Sequence, residues 1–251
     1  MSRFTFFFRL FVWFSLRHMA RHPRRTLAVL IGVALGAAVF TSVRLSVHAS
    51  LDSFTRSMDR IAGAADRVVA KPGGRVDESV LPRLLAHPAV ESASPFLSAY
   101  VTIGENPETE PFLLVGFDPI LDRPVRDWEA RKDAGSKAAP WLDLIKTPFT
   151  LVMGESLAAD VGAAAGETLV LDHVGKQRAF RVLGVLASRG PALADGGRLA
   201  VTDIASFQEF TGIFGGADRI DLVFSRDVSE SDAEAVKALL DPGLQMDSPS
   251  R

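Results

Sequence analysis

An uncharged apolar run near the N-terminus constrains this chain most, because it is the one stretch long enough to cross a lipid bilayer. Residues 26–43 are 18 consecutive uncharged residues, bounded by Arg25 and Arg44. As a helix they would be about 27 Å long, close to the roughly 30 Å hydrocarbon core of a membrane. The sequence therefore predicts a transmembrane helix at 26–43.

A cleaved export signal is the alternative interpretation of the same run. Arg24-Arg25 precede it and Val47-His48-Ala49 follow it, as in a signal with a cleavage site. However, a signal's apolar region is usually about 7 to 15 residues long and follows a short basic segment, whereas 25 residues precede this run. A retained helix is favoured, and an exported binding module that begins at Ser50 remains the alternative.

The charge distribution predicts the orientation of this helix. Residues 1–25 contain six arginines and no acid, and their phenylalanines recur at helical spacing beside the arginines. This pattern is typical of an amphipathic helix in the membrane interface. Because positive residues stay on the cytoplasmic side, we expect residues 1–25 to be cytoplasmic and everything beyond Arg44 to be exported.

Small residues recur every four positions within the apolar run. Ala28, Gly32 and Gly36 would form one face on which another helix could pack closely. These three residues are the helix-packing candidates. The alternative is that they reflect only the abundance of glycine in membrane helices.

Beyond the membrane, two strand–helix–strand patterns stand at opposite ends of the exported body. A stalk helix is predicted at 44–62, because apolar residues continue at spacings of three and four until Gly63. One pattern then begins with the strand at 66–70, and the other begins with RIDLVF at 219–224. The second pattern continues with SESDAEAVKALL, a helix that opens with a capping pattern. Such a pair resembles a ferredoxin-like split βαβ arrangement. We expect one α+β lobe from 63–118 and 217–251, with an inserted, mainly β lobe at 119–216. This inserted lobe opens with a polar stretch, DRPVRDWEARKDAGSKAAP, and contains two short helices.

Motifs for catalysis and for metal binding are missing from the sequence. The chain has no cysteine, and no pair of histidines in the exported body has metal-ligand spacing. GESLA at 154–158 is not a nucleophile elbow, and GAAAGE at 162–167 lacks the Lys-Ser/Thr of a phosphate loop. Asp172-His173 could be a catalytic dyad, but a turn or strand-end pair is favoured. The body has 22 basic and 30 acidic residues, which argues against nucleic acid as a partner. We therefore predict no catalytic, cofactor-binding or metal residue.

A series of degenerate motifs, in a fixed order, covers the chain from residue 16 onward. They are RHPRRTLAVLIGVALGAAVF, AGAADRVV, HPAVESASP, FLLVGFDP, GESLAADVGAAAGETLVL, FRVLGVL, DIASFQEFTG and DRIDLVF. In this order the chain resembles the N-terminal part of an FtsX/MacB-type ABC transporter permease, a group that includes the LolC/LolE and YbbP-like permeases.

The resemblance implies an α+β fold with a porter-like lobe and an inserted β-rich, Sabre-like lobe outside the inner membrane. It implies that ATP is bound by a separate ABC ATPase subunit, so that this chain has no cofactor, and that a second permease copy or paralogue completes a dimer. The permease would then couple ATP hydrolysis to periplasmic substrate export or to lipoprotein or envelope work. Family permeases have at least three further membrane helices. We therefore expect this chain to be a fragment, a truncated product or a split subunit. The cargo, and whether the dimer is homomeric or heteromeric, stay open.

Overall fold

The computed structural model describes residues 13, 21, 23–104, 110–130, 140–225 and 228–249, with the backbone alone for 49–62 and 140. The chain divides into two compact units, Met1–Ser53 and Phe54–Arg251. The helices are α1 (Pro23–Ala62), α2 (Val80–Leu85), α3 (Pro140–Lys146), α4 (Glu155–Val161), α5 (Ile204–Thr211) and α6 (Glu230–Ala238). The strands are β1 (Arg67–Ala70), β2 (Val76–Asp77), β3 (Val90–Ile103), β4 (Phe112–Phe117), β5 (Thr150–Gly154), β6 (Thr168–His173), β7 (Lys176–Leu186), β8 (Leu199–Asp203), β9 (Gly216–Ala217), β10 (Arg219–Phe224) and β11 (Gln245–Asp247). A 3₁₀ segment, Gly190–Gly197, precedes β8.

Helix α1 is a single helix of 40 residues. Its part from Pro23 to His48 contains an 18-residue window that has a mean hydropathy of 2.2 and is not buried against the rest of the chain, so it is long and apolar enough to cross a membrane. One uninterrupted helix therefore contains both the predicted span at 26–43 and the predicted stalk at 44–62. Its backbone also passes through Ala49 and Ser50 without a break.

The two terminal strand–helix–strand units interleave in one sheet. The strand order at this end of the sheet is β11-β1-β10-β3, and every neighbouring pair is antiparallel. Each unit thus places a strand between the two strands of the other, which is the split βαβ arrangement that the sequence predicts. The α+β fold class is confirmed.

Helices α2 and α6 supply the apolar side chains that cover one face of these four strands. Helix α6 begins with a capping box, in which the Ser229 hydroxyl accepts from Asp232 N and the Asp232 carboxylate accepts from Ser229 N. The buried core of this face, here the terminal core, includes Val69, Val80, Leu84, Ala93, Ile220, Leu222 and Val236. Residues from both ends of the chain therefore build a single core.

The strands of the middle segment continue the same sheet and close it on itself. The order β3-β4-β8-β5-β7-β6 follows from the terminal strands, and β6 pairs back to β3 through Thr102↔Asp172 and Ile103↔Leu171. Strand β3 makes this closure possible because it has 14 residues. Its first half pairs with β10, its second half with β4, and its last two residues with β6.

Strand β4 is buried on both faces, which explains its continuous apolar sequence FLLVGF. Phe112 and Leu114 join a core that contains Phe207 of α5, here the α5 core. Leu113 and Val115 join a second core that contains Leu144 of α3, here the α3 core. The sequence predicted two short helices in the middle segment, α4 and α5, and it missed α3. The bounds 119 and 216 of the inserted lobe stay a prediction. Strand β4 precedes residue 119 but pairs with β8 of the middle segment, so the sheet is continuous across the predicted bound.

Gly116 in β4 generates a test of this packing. A Cβ added there would lie 2.5 Å from Cβ of Phe207 in α5, closer than real side chains approach. We expect Gly116→Ala to lower the free energy of unfolding by about 1–3 kcal/mol, the usual cost of overpacking a core. Chemical denaturation of the full chain in detergent measures it.

Gly184→Ala is the matched control, because Gly184 is also a strand glycine but a Cβ there meets nothing within 4 Å. Equal losses of stability in both variants would contradict the packing of α5 on β4.

Candidate functional site

The predicted helix-packing residues lie on an open part of α1. Ala28, Gly32 and Gly36 are exposed, and a Cβ added at either glycine would meet nothing within 4 Å. The helix therefore presents small residues to its surroundings, where another helix backbone could approach closely. Their role in packing stays a prediction.

Asp172 and His173, the pair noted in the sequence, make contacts that belong to the fold. Asp172 Oδ1 accepts from Gly175 N at 3.0 Å, and His173 Nδ1 lies 3.3 Å from the carbonyl oxygen of Tyr100. The first contact closes the β6–β7 hairpin, and the second joins the end of β6 to β3. Within the described residues, no group of three or more His, Asp or Glu side chains is placed to hold a metal ion.

A buried cluster of three charged side chains is the most unusual feature of the body. The guanidinium of Arg126 bonds the carboxylates of Asp122 and Asp221, and these side chains are 0%, 1% and 0% exposed. We call these three residues the Arg126 clamp. Asp122 also accepts from Trp128 Nε1 at 2.7 Å and from Ser94 Oγ at 2.6 Å. The buried charges are thus paired and hydrogen-bonded, as burial requires.

Burial and pairing shift the pKa of Arg126 in opposite directions. Burial lowers the pKa of Arg126, whereas the charge and hydrogen bond of Asp122 raise it. An arginine pKa begins so far above neutrality that the side chain stays charged. The Arg126 guanidinium also lies 5.0 Å from the Phe96 ring centroid, and the guanidinium of Arg219 lies 4.6 Å from the same centroid. The ring adds a favourable cation–π interaction to the clamp.

The clamp joins two parts of the chain, and the hydrogen bond from Ser94 to Asp122 adds a third, β3. Asp122 and Arg126 belong to the segment 118–130 that follows β4, whereas Asp221 lies in β10. Asp221 pairs across the sheet with Ser94 of β3, so both residues meet the clamp from the same face. Ile220 and Leu222 point to the terminal core on the opposite face. Segment 118–130 therefore covers the face that α2 and α6 leave open.

Sequence reasoning missed this cluster, because it assigned DRPVRDWEARKDAGSKAAP to a polar opening of the inserted lobe. Two signals were present. Asp122 and Arg126 are four residues apart, and Asp221 interrupts the apolar strand RIDLVF. Neither signal predicts burial by itself, since a charged residue on one face of a strand usually faces solvent.

A cavity of about 270 Å³ lies beside the clamp. Its walls include Phe117, Trp128 and Trp141, and the Phe117 ring centroid is 5.6 Å from that of Trp128 and 6.2 Å from that of Trp141. Arg123 and Asp127 also line it. The volume of this cavity is below the roughly 300–1,000 Å³ of typical small-molecule sites.

The class of the protein follows from these features: an α+β domain with interleaved terminal units, joined directly to an apolar helix of membrane length. The family model of the MacB-like periplasmic core domain matches residues 26–242. The chain belongs to this family, whose members are parts of ABC transporter permeases and are not themselves enzymes.

Solved structures agree on the fold. The periplasmic region of MacB from Actinobacillus actinomycetemcomitans is 15% identical, with a TM-score of 0.57 over 76% of this chain and 91% of that one. The extracellular domain of the noncanonic ABC-type transporter YknZ from Gram-positive bacteria is 10% identical, with a TM-score of 0.53 over 72% of this chain and 98% of that one. No curated protein matches the sequence.

The buried clamp generates a prediction about stability. Arg126→Met removes the cation that bonds the buried carboxylate of Asp122 and leaves Asp221 paired with Arg219, whose Nε lies 3.1 Å from Asp221 Oδ1. We expect it to lower the free energy of unfolding by about 3–5 kcal/mol, the cost of breaking a buried ion pair. Denaturation of the full chain in detergent, followed by tryptophan fluorescence, measures this loss.

Arg83→Met is the matched control. Arg83 also pairs with an aspartate, Asp241, at 2.6 Å, but both side chains are largely exposed. Exposed pairs contribute little, so this variant should unfold nearly as the wild type does. A loss in Arg126→Met no larger than in Arg83→Met would show that the clamp is not buried as described.

Proposed function

We propose that this chain is the part of an ABC permease that receives movement driven by ATP hydrolysis and applies it outside the inner membrane. The observation that carries the proposal is the direct continuity of α1 with the family domain. The helix runs from its apolar part, Pro23–His48, to Ala62 and leads into β1 within a few residues. An unbroken helix is stiff along its axis, so displacement at one end reaches the other.

The loop that superficially resembles a phosphate site supports a separate ATPase subunit. In GAAAGE, Gly162 caps α4 in the left-handed conformation, and Ala163 N donates to the carbonyl of Ala158. The amides of Ala164 and Gly166 donate to Glu167 Oε2 and to the carbonyl of Val182. These amides are occupied within the fold, whereas a phosphate loop presents its amides to the nucleotide. We propose on this ground that ATP binds to a partner subunit and that this chain has no cofactor of its own.

We propose that helices of partner proteins, including a second permease copy or paralogue, pack in the membrane on Ala28, Gly32 and Gly36. The work that we propose for the body outside the membrane is substrate export, or work on lipoproteins or on the cell envelope. Cleavage of α1 as a signal is disfavoured, because the candidate cleavage site lies inside a continuous helix and proteolysis favours exposed, flexible segments.

The partner ATPase gives the test of this function. The protein is purified from its own cells with an N-terminal tag and reconstituted in nanodiscs. We expect an ATPase with a phosphate loop to co-purify and to hydrolyse MgATP faster with the permease than alone. A phosphate-loop Lys→Ala variant of that ATPase is the control. Co-purification of no ATPase, or an unchanged rate of hydrolysis, would contradict the proposal.

The proposed orientation places residues 1–25 in the cytoplasm and the body outside, because six arginines precede the span. Alkaline phosphatase, which is active only after export, should be active when fused after Arg251 and inactive when fused after Arg21. Cell fractionation should find the Arg251 fusion in the membrane. The reverse activities would overturn the orientation, and a soluble periplasmic product beginning at Ser50 would support the released binding module.

A further inference from the structure

The turn that follows α1 is fixed to the segment that carries the clamp. Ala64 N donates to the carbonyl of Val125 at 2.7 Å. Gly63 has a φ of +61°, and a Cβ added there would lie 2.3 Å from the Val125 oxygen and 3.0 Å from Cγ of Arg126. Backbone therefore meets backbone at this point, with no room for a side chain between them. The turn cannot shift unless Val125 and Arg126 shift with it.

Segment 118–130 is also bonded to two strands of the sheet, β10 and β3. Arg126 bonds Asp221 of β10, and Asp122 accepts from Ser94 of β3. Ser92 Oγ, also in β3, donates to the carbonyl of Leu121 at 2.6 Å. Segment 118–130 is thus bonded to the end of α1 on one side and to two neighbouring strands on the other.

The clamp contributes position more than stability. Taking three charges out of water costs about as much as their pairing returns, and replacing such a buried set with uncharged groups of similar size is often neutral. Apolar contacts have no preferred direction. Ion pairs with hydrogen bonds, in contrast, hold one geometry. A buried charge cluster is therefore suited to a joint that must not slip.

We propose that Asp122, Arg126 and Asp221 form the joint that carries displacement of the end of α1 into β10 and β3 together. This proposal rests on the proposed function, in which movement arrives through α1. Strand β3 pairs with β10, β4 and β6, so its displacement reaches both the terminal strands and the closed part of the sheet. The three residues are positioning residues, and none of them needs to contact a cargo.

A double-mutant cycle tests the joint in the full chain, in lipid nanodiscs. Gly63→Ala pushes on Val125. The triple variant Asp122→Asn, Arg126→Met, Asp221→Asn removes the charges of the clamp. At position 122 the amide oxygen can accept from Trp128 Nε1 where Oδ2 does now, and the amide nitrogen can donate to Ser94 Oγ where Oδ1 accepts from it now. Hydrogen exchange is followed in peptides that cover 90–96 and 219–224. We expect Gly63→Ala to speed exchange there about tenfold with the clamp and less than about twofold without it.

Gly73→Ala is the control for backbone strain alone, because Gly73 has a similar φ of +71° but open space around it. It should leave both peptides unchanged in either background. Equal accelerations by Gly63→Ala with and without the clamp would overturn the proposal, as would no acceleration with it. If the triple variant does not fold, the cycle is run with Asp221→Asn alone, with the same expectations. The cycle needs no ATPase, so its outcome is distinguishable from failure of the proposed function.

Discussion

A guanidinium with no exposed surface must be neutralised where it lies, and Arg126 takes one of its two carboxylates from a distant part of the chain. Asp122 is four residues away, whereas Asp221 is 95 residues away. An unpaired charge at this depth costs several kcal/mol. The body therefore reaches its stable state only when β10 has joined β3 and segment 118–130 has closed over them. The C-terminal unit is in this way tied to the beginning of the body.

Strand β3 extends the effect of this constraint through the sheet. Its first half carries Ser92 and Ser94 toward the clamp on one face and Ala93 toward the terminal core on the other. Its second half carries Leu97 and Val101 into the α5 core. The terminal strands and the closed part of the sheet therefore share one backbone, and neither can rotate without bending β3.

The sequence predicts those parts of the fold that depend on local pattern. Strand β10 coincides with the predicted run 219–224, and α6 begins at the predicted capping pattern. The interleaving of the two terminal units followed from their repeated order along the chain. The single long helix followed from an uncharged run and from the apolar spacing that continues it.

What the sequence did not predict depends on contacts between distant residues. The pairing of β6 with β3 closes the sheet through only two residues on each strand, and no local signal marks them. Asp221 alternates with Ile220 and Leu222 as a solvent-facing residue would, and it is buried only because segment 118–130 lies over it. Trp128 and Arg126 stand among prolines and charges, so composition indicated a loop where the structure has a buried joint.

We infer that opening the contact between the end of α1 and the sheet costs as much free energy as opening the sheet itself. Native-state hydrogen exchange at the Ala64 amide, measured in the wild-type chain in nanodiscs under increasing denaturant, tests this claim most directly. If the claim is right, Ala64 exchanges only through the same global opening that exposes the Leu222 amide of β10, with the same free energy and the same dependence on denaturant. Exchange of Ala64 through a local opening of much lower free energy, while Leu222 stays protected, would contradict it.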